Sequence, residues 1–276
     1  MTKSTEALKV AVAGIAGRMG RQLAAMAIDR GAVLTGGSEV AAAGVFDEDI
    51  GVLAGRRPIG LWPSPDVTEA ANGADVWIDF TRPEATLAAL GALRGTSVRA
   101  VIIGTTGFEP DQDIVIKAAS DRFAIVKAGN FSVGVNLLQA LTRLAASRLG
   151  PDWDIEILES HHRLKVDAPS GTALMLGEAA AAGRGAGLGD ILAKPYLGAN
   201  APRKEGEIGM AVRRGGGIYG EHDVMFASPR EVVHLSHMAL DRAVFAEGAV
   251  QAAHWAAGQP PGLYGMDDVL GLGHTA

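Results

Sequence analysis

Cysteine is absent from this chain of 276 residues. Without cysteine the protein has no disulfides, Cys-ligated zinc, iron–sulfur clusters or thiol catalysis, and the composition suits a reducing compartment. An excess of positive charge is absent as well, because 25 Lys and Arg stand against 31 Asp and Glu, for a net charge of −6. A net acidic chain is a poor general binder of nucleic acid, so we expect no nucleic-acid partner.

A long apolar run is also missing. The longest stretch without Asp, Glu, Lys or Arg covers 248–266, and it contains His254 and the pair Pro260-Pro261. Such a stretch cannot span a bilayer as a clean apolar helix. The N-terminal residues MTKSTEALK are polar and charged, unlike a signal peptide. We therefore expect a cytoplasmic protein with no membrane partner.

Glycine, by contrast, is abundant, with 37 residues against a usual share of about 7%. The 12 prolines and the lack of a repeat period argue against collagen and low-complexity disorder, so the glycines indicate many tight turns. With 48% apolar residues the chain can bury a sizeable core. Its length predicts two domains or one large one.

Strand and helix patterns alternate up to about residue 130. The predicted strands cover 8–13, 32–37, 76–80, 98–103 and 123–127, and the predicted helices cover 18–30, 83–94 and 111–122. Continuous apolar strands separated by amphipathic helices predict a parallel sheet covered on both faces. The stretch 40–66 has a weak signal and is predicted to be mostly loop.

The pattern changes after residue 130. Helices are predicted over 133–149, 171–183 and 242–257, and strands over 153–160, 208–214, 219–227 and 231–240. Strands in succession predict a mixed or antiparallel sheet with one exposed face. The last helix is expected to return to the first sheet. We therefore predict an α/β chain in which a first domain, 1–130 completed by 241–276, is interrupted by an inserted α+β domain, 131–240.

The segment GIAGRMG at 14–20 follows the first strand pattern and opens a helix pattern. Glycines there allow a tight turn and let backbone N–H groups approach a pyrophosphate at a helix N-terminus. The segment departs from G-x-G-x-x-G, since Ala16 holds the third position, so a plain structural turn is the alternative. Glu39 lies 19 residues after Gly20, where an acid binds the adenosine ribose. The two signals together favour a Rossmann-type dinucleotide-binding domain, although Glu39 could also be a surface loop residue.

The acid also bears on the choice of cofactor. The Glu39 carboxylate repels a 2′-phosphate, and the neighbouring Val40 supplies no cation to neutralise one. Arg18 could partly compensate. The residues therefore favour NADH over NADPH.

Two further loops, FTRP at 80–83 and GTTG at 104–107, follow predicted strands. In an open parallel sheet the carboxyl ends of the strands line the ligand crevice. Thr hydroxyls and glycine backbone there could contact the ribose and the nicotinamide carboxamide, and ordinary loop turns explain the same residues equally well.

The densest group of chemically versatile residues is HHRLKVDAPSGT at 161–172. Its cations suit a small dicarboxylate or a proton-transfer step, because His can act as general acid and Lys can donate a proton or hold an anion. Ser170, Gly171 and Thr172 open a helix whose N–H groups suit a carboxylate. A metal is disfavoured, since adjacent histidines point to opposite sides of a strand. A solvated basic loop with a simple helix cap is the alternative.

The other histidines are interpreted as structural. His222, His234 and His237 lie in strand patterns, where paired or half-exposed structural roles are more common than catalysis.

Taken together, these motifs resemble the 4-hydroxy-tetrahydrodipicolinate reductase (dihydrodipicolinate reductase) family of bacterial diaminopimelate and lysine biosynthesis. The resemblance spans nearly the whole chain, in family order: GxxGRMG at 14–20, DFTRPE at 79–84, GTTGF at 104–108, NFSVGVN at 130–136, ESHHRLKVDAPSGTAL at 159–174, GEHDVMFA at 220–227 and GMDDVLGL at 265–272. The block at 159–174 is the most specific of them.

The resemblance implies a role for each matching residue. The dinucleotide would be held by Gly14, Ile15, Ala16, Gly17, Arg18, Met19 and Glu39, and its nicotinamide end by Gly104, Thr105, Thr106, Ala128, Gly129, Asn130 and Phe131. His161 would be the proton donor or acceptor and Lys165 a second proton donor. The substrate carboxylate would be bound by His162, Ser170, Gly171 and Thr172.

The resemblance also implies a reaction and an assembly. NADH or NADPH would transfer a hydride to the unsaturated cyclic imine formed when 4-hydroxy-tetrahydrodipicolinate loses water, giving tetrahydrodipicolinate. The substrate would be a small cyclic dicarboxylate, and no metal would take part. The family is usually a homotetramer assembled through the sheet of the central domain.

Two positions depart from the family pattern. Leu164 stands where many members have His, and Val40 stands where many have Arg, which keeps NADH open as the cofactor. Two other hypotheses remain at this stage. One is a related dehydrogenase that acts on another amino or imino acid. Only the segments HHRLK at 161–165 and SGT at 170–172 would distinguish the reductase from it, because the first domain would be shared. The other is a non-catalytic dinucleotide sensor, which predicts the loss of His161 and Lys165, although both are present.

Overall fold

The computed structural model describes residues 7–198 and 200–272. The polar N-terminal segment MTKSTE therefore lies outside the described residues. The chain divides into two compact units. Unit 1 is Met1–Phe131 with Ala243–Ala276, and unit 2 is Ser132–Arg242.

Both units contain helices and strands. In chain order, the elements of unit 1 are β1 (Lys9–Ala13), α1 (Arg18–Asp29), β2 (Val33–Ser38), α2 (Ile50–Leu53), α3 (Val67–Ala70), β3 (Val76–Asp79), α4 (Pro83–Ala92), β4 (Ala100–Ile103), α5 (Pro110–Ala119) and β5 (Ala124–Lys127). Unit 2 follows with α6 (Val133–Arg148), β6 (Asp154–His161), α7 (Gly171–Gly183), α8 (Leu188–Ile191), β7 (Ile208–Arg214), β8 (Glu221–Ala227) and β9 (Val232–Met238). Unit 1 resumes with α9 (Ala243–Ala256), β10 (Gly262–Tyr264) and α10 (Met266–Leu270).

The sheet of unit 1 is parallel, in the strand order β10-β5-β4-β3-β1-β2. Its central strands β3 and β4 are buried along their whole length because helices cover both faces. On one face Val12, Ile78 and Ile102 belong to a core shared with α1 and α9. On the other face Trp77 and Val101 belong to a core shared with α4 and α5. The helix that the sequence predicts at 242–257 thus lies on the first sheet.

The sheet of unit 2 is mixed, in the strand order β7-β6-β8-β9. Strands β6 and β7 pair in parallel, whereas β8 pairs antiparallel with β6 and β9. Alternate residues of β6 and β8, such as Ile157 and Val224, face a core with Leu138 of α6 and Leu176 of α7. Near one end of this inner face the apolar residues give way to buried polar ones, among them Glu159, His161 and His222.

The predicted fold class, a Rossmann-type parallel sheet with a second sheet in an α+β unit, is confirmed, and the second sheet is mixed. The pattern of 258–270 predicted neither β10 nor α10, because Pro260, Pro261 and several glycines obscure a short strand that forms by pairing with β5. None of the helices in 7–198 and 200–272 is long and apolar enough to cross a membrane.

Candidate active site

The glycine-rich loop joins β1 to α1 at the carboxyl edge of the parallel sheet. Gly14 has φ +61°, in the left-handed region that favours glycine, and its carbonyl accepts the N–H of Gly17 at 2.9 Å. A Cβ at Gly20 would overlap that same Gly14 carbonyl, so the first turn of α1 lies directly against the loop. Gly17 caps α1 without a side chain. The loop therefore presents backbone N–H groups at a helix N-terminus, where an anion binds well.

Glu39 lies beside this loop, just past the end of β2. Its carboxylate accepts the N–H of Ala16 at 3.0 Å and the N–H of Val40 at 2.9 Å. The structure thus brings the predicted acid and the predicted loop together. Ile15 is fully buried and Met19 packs against the core, so both side chains serve packing, whereas Arg18 is exposed.

The ends of β3 and β4 share a buried hydrogen-bond network. Asp79 accepts the Thr81 hydroxyl at 2.6 Å and the Thr105 hydroxyl at 3.3 Å through the same carboxylate oxygen. The Thr86 hydroxyl donates to that of Thr105 at 2.9 Å, and Thr105 is only 4% exposed. The buried Thr105 hydroxyl is thus already bonded to Asp79 and Thr86. Thr106 is exposed.

A cavity of about 310 Å³ lies between the ends of β4 and β5. It is lined by Thr105, Thr106, Gly107, Phe108, Lys127, Ala128 and Gly129. Gly104 lies beside it, with its backbone against the Phe80 ring. Phe131 differs from its predicted neighbours: its side chain is buried in the core, with its ring centroid 5.2 Å from that of Phe80. The half-buried Asn130 precedes it.

In unit 2, a buried carboxylate is the centre of the polar end of β6. Glu159 and His161 are two residues apart on the strand, so both face inward, and the distance from Glu159 Oε2 to His161 Nδ1 is 2.6 Å. Arg214 of β7 donates to both Glu159 oxygens, at 2.7 and 2.8 Å. The N–H of Ser170 donates to Oε1 at 2.9 Å. One fully buried side chain thus organises three elements of the unit.

These contacts determine the charge of Glu159. Burial by itself raises the pKa of the carboxyl, but the hydrogen bonds from Arg214, His161 and the Ser170 backbone outweigh it and hold the pKa at about 2. His161 shows the opposite balance. Burial lowers the pKa of its imidazole, and Lys165 and Arg214 lower it further, against the raising effect of Glu159. Glu159 is therefore ionised throughout the neutral range, beside a histidine that releases its proton readily.

His222 of β8 completes this buried group. Its ring stands edge-on to that of His161 at a centroid distance of 5.2 Å, and its Nε2 lies 3.2 Å from the Ser170 hydroxyl. Burial, and then the proximity of His161, lower the pKa of His222 to about 4. His222 is therefore neutral at physiological pH, which leaves His161 as the buried histidine paired with a carboxylate.

The loop after β6 and the start of α7 carry the remaining predicted residues. Lys165 donates to both carboxylate oxygens of Asp167 at 2.9 Å, and this bond lowers the pKa of Asp167. Ser170 caps α7, accepting the N–H of Ala173 at 3.2 Å. Gly171 and Thr172 form the first turn of α7, and the half-buried His162 follows directly on β6. A lysine and a helix N-terminus thus stand near the buried histidine.

Sequence reasoning missed Glu159, Arg214 and His222. The sequence does contain a signal for Glu159. It lies two residues before His161 in a strand pattern of period two, so the two side chains are on the same face of the strand. Arg214 and His222 could not be found in this way. They come to the site through strand pairing, with His161 opposite Arg214 and Glu159 opposite His222. His222, interpreted from its strand pattern as structural, in fact contacts the group around His161.

Because folded His222 is buried and neutral, we expect the protein to lose stability in mild acid. Between the ordinary histidine pKa of about 6.5 and the folded value of about 4, the unfolded chain binds a proton that folded His222 does not. The free energy of unfolding should therefore fall by about 2 to 3 kcal/mol between pH 7 and pH 4.5. Glu159 adds its own loss only as the pH drops from the ordinary Glu range towards about 2.

Urea unfolding at a series of pH values measures this effect. The variant His222→Gln should have a flatter pH dependence than the wild type, whereas His254→Gln, on an exposed position of α9, should keep the wild-type slope. An unchanged slope in His222→Gln would contradict the assignment.

Unit 1 combines a parallel sheet, a glycine-rich loop at a helix N-terminus and an acid beyond the second strand, and unit 2 contains a buried Glu–His pair. Together these features define an oxidoreductase of the Rossmann type. Comparisons with known proteins identify the family. The profile "Dihydrodipicolinate reductase, N-terminus" matches residues 8–131, and "Dihydrodipicolinate reductase, C-terminus" matches residues 134–270. The chain belongs to the dihydrodipicolinate reductase family.

Two relatives and one solved structure agree with this assignment. The chain is 50% identical to 4-hydroxy-tetrahydrodipicolinate reductase of Rhodopseudomonas palustris (strain BisB5), over 96% of this chain and 98% of that protein. It is 49% identical to the enzyme of the same name from Parvibaculum lavamentivorans, over 97% of this chain and 99% of that one. The dipicolinate-bound dihydrodipicolinate reductase of Paenisporosarcina sp. TG-14 has the same fold, with a TM-score of 0.72 at 22% identity over 95% of this chain and 99% of that one.

The predicted family and the predicted reduction step in diaminopimelate and lysine biosynthesis are therefore confirmed. Relatives of the same name along almost the entire chain favour the reductase over the related dehydrogenase and over the sensor. A reductase with a Rossmann-type unit uses a nicotinamide cofactor.

Proposed function

We propose that the chain reduces the dehydrated form of 4-hydroxy-tetrahydrodipicolinate to tetrahydrodipicolinate with NADH or NADPH, and that His161 supplies the proton. The observation that carries this proposal is the buried His161–Glu159 pair, whose carboxylate also holds the start of α7. A proton donor and a carboxylate-binding helix N-terminus thus belong to one hydrogen-bonded group.

The substrate brings two carboxylates, which need cations and N–H donors. Lys165 holds the carboxylate of Asp167 in this structure, so its position suits a carboxylate, and substrate would exchange with Asp167 there. The first turn of α7 at Gly171 and Thr172, capped by Ser170, would receive a substrate carboxylate together with His162. Lys165 would also serve as a second proton donor.

When bound in unit 1, a dihydronicotinamide would supply the hydride. Hydride addition reduces the conjugated imine and leaves an electron pair on the substrate, which His161 neutralises by delivering a proton. Because Nδ1 of His161 faces Glu159, the proton leaves from Nε2. The substrate would thereby gain a hydride from the cofactor, which would be oxidised, and a proton from His161.

Unit 1 would hold the dinucleotide. The close approach of Gly20 to the Gly14 carbonyl packs the loop directly against the first turn of α1, and the Ala16 N–H of that loop already donates to a carboxylate. The residues of this site would be Gly14, Ile15, Ala16, Gly17, Arg18, Met19 and Glu39 for the adenosine and pyrophosphate, and Gly104, Thr105, Thr106, Ala128, Gly129, Asn130 and Phe131 for the nicotinamide end. Ile15, Thr105 and Phe131 would act through their backbones, since their side chains are buried.

A coupled assay tests the proposed function. The purified protein is incubated with the product of the preceding synthase and with NADH or NADPH, and the absorbance of the reduced nicotinamide is followed. Loss of absorbance that depends on the synthase product is the expected result. Failure to oxidise either cofactor would contradict the proposal.

NADH is the cofactor that the residues near Glu39 favour. Val40 is 55% exposed beside the carboxylate and provides no cation for a 2′-phosphate. Replacing it by arginine should lower the KM for NADPH about tenfold, because a guanidinium–phosphate pair contributes on the order of 1.4 kcal/mol, and should change the KM for NADH little.

The matched control is Val33→Arg, at an exposed position at the start of β2, the strand that ends just before Glu39 and Val40. It should leave both KM values unchanged. A KM for NADPH that stays the same in Val40→Arg, or falls equally in Val33→Arg, would refute the ion-pair explanation.

Assembly into a homotetramer through the sheet of unit 2 is part of the proposal. In support, Val232 and Met238 of β9 are exposed on the face of the sheet opposite its apolar core. Light scattering during size-exclusion chromatography should give the mass of four chains, and a monomer would contradict this part. The cytoplasmic location stays a prediction.

A further inference from the structure

We infer that Glu159, held in place by Arg214, is a positioning residue for proton transfer: it fixes the Nδ1 proton of His161 and locks the start of α7 to the same carboxylate. This inference deepens the proposed function and rests on the assignment of His161 as proton donor. It adds two residues that would not touch the substrate themselves.

Glu159 determines the tautomer of His161. An ionised carboxylate only accepts hydrogen bonds, so a distance of 2.6 Å from Glu159 Oε2 to His161 Nδ1 requires the proton on Nδ1. The other nitrogen, Nε2, then carries the proton that is exchanged. Nε2 faces Gly220, where a Cβ would lie at 3.1 Å, so no side chain from this position covers it.

Arg214 holds the Glu159 carboxylate in place. Its guanidinium donates to both oxygens of Glu159 and also to the carbonyls of Asp167 and Arg213, at 2.7 and 2.8 Å. A planar guanidinium with this many partners holds the carboxylate in one orientation. It also balances a charge that is fully buried and would otherwise be costly. Arg214 thereby keeps the carboxylate both ionised and aimed at His161.

Glu159 also links His161 to the start of α7. Oε1 of Glu159 accepts the N–H of Ser170, the residue that caps α7, while Oε2 is the oxygen next to His161. The proton donor and the turn that would bind the substrate carboxylate are therefore placed by a single side chain. Holding the proton donor and the substrate-binding turn in a fixed geometry favours proton transfer.

Charged and titratable groups reach His161 from every neighbouring element of unit 2. They are Glu159 on β6, Arg214 on β7, His222 on β8 with His237 beside it on β9, and Lys165 with Asp167 in the loop after β6. Glu159 is the group that raises the pKa of His161, whereas burial, Lys165 and Arg214 lower it. Removing the carboxylate charge should therefore make His161 a weaker base and leave it less protonated at neutral pH.

The variant Glu159→Gln tests this with the pH profile of kcat. Its alkaline limb should move to lower pH by about one unit or more, so that kcat at pH 8 falls about tenfold or more. The Kd for NADH should not change. The matched control is Glu178→Gln, on the exposed side of α7, which should keep the wild-type limb.

The double variant Glu159→Gln/Arg214→Gln distinguishes a positioning role of Glu159 from a merely structural one. Glu159→Gln alone leaves the Arg214 cation without its carboxylate and should lower Tm, and removing both charges should restore part of the loss. The alkaline limb should nevertheless stay displaced in the double variant, while Glu159→Asp, which keeps the carboxylate, should bring it back towards the wild type. Recovery of the limb together with Tm in the double variant, or a wild-type limb in Glu159→Gln, would overturn the inference.

A measurement on the wild-type chain keeps the test decisive even if variants fold poorly. Imidazole ¹⁵N chemical shifts, assigned to His161 by the signal lost in His161→Gln, should show neutral His161 with its proton on Nδ1. A proton on Nε2 would overturn the inference. Failure of the proposed function is distinguishable, because wild-type protein would then oxidise neither cofactor and no pH limb would exist.

Discussion

Replacing His161 by glutamine should lower kcat about 10² to 10⁴-fold and leave the Kd for NADH almost unchanged. The magnitude is that of a lost general acid, since glutamine is close in size but cannot deliver a proton to the reduced substrate. The Kd is unaffected because His161 lies at the end of β6 in unit 2, whereas the proposed dinucleotide residues belong to unit 1. Steady-state kinetics together with a fluorescence titration of NADH would separate the two quantities.

His254→Gln is the control for this substitution. His254 occupies an exposed position on α9, so the same chemical change there should affect neither kcat nor Kd. If His161→Gln turned over like the wild type, the general-acid assignment would be wrong, and Lys165 would become the leading proton donor.

Gly20→Ala should weaken NADH binding by about two orders of magnitude and lower the free energy of unfolding by about 1 to 3 kcal/mol. The reason is steric. A Cβ at position 20 would overlap the carbonyl of Gly14, so either the loop or the first turn of α1 has to move. Since that carbonyl also accepts the Gly17 N–H, the movement disturbs the backbone proposed to hold the pyrophosphate. Isothermal titration with NADH and urea unfolding measure the two effects.

The control here is a glycine in an ordinary helical position. Gly91 of α4 has no atom within 4 Å of the site of a Cβ, so Gly91→Ala should raise the free energy of unfolding by about 0.5 to 1 kcal/mol and leave NADH binding unchanged. If Gly20→Ala behaved in the same way, the close approach of helix and loop would have no role in the dinucleotide site.

The buried group of unit 2 also explains how one end of a sheet can hold several ionisable residues without unfolding. Glu159 is matched by Arg214, and burial keeps His222 neutral, so few uncompensated charges remain inside. Of His161 and His222, it is His161 that lies next to a carboxylate while keeping a second nitrogen for proton exchange. Two neighbouring histidines thus have different chemistry because their surroundings differ.

Much of the fold was predictable from the sequence because the signals are local. The apolar runs of β1, β3, β4 and β5 and the periodic helices between them predict a covered parallel sheet, and the structure has one. The period-two pattern of β6 also places Glu159 and His161 on one face of the strand, although only the histidine was predicted to be a site residue. In contrast, the short β10 lacks a clear pattern of its own and forms only by pairing with β5.

The residues of the candidate site were likewise only partly predictable from local signals. By itself the sequence determined the glycine-rich loop, the acid at position 39 and the cationic segment 161–172, because close spacing along the chain already places these residues together. Only the tertiary structure decided that Arg214 and His222 join His161, that the Thr105 hydroxyl and the Phe131 ring turn inward, and that one carboxylate serves both the histidine and the start of α7. The physical reason is that strand pairing and core packing bring together residues that are distant in sequence, and no local pattern records which strands pair.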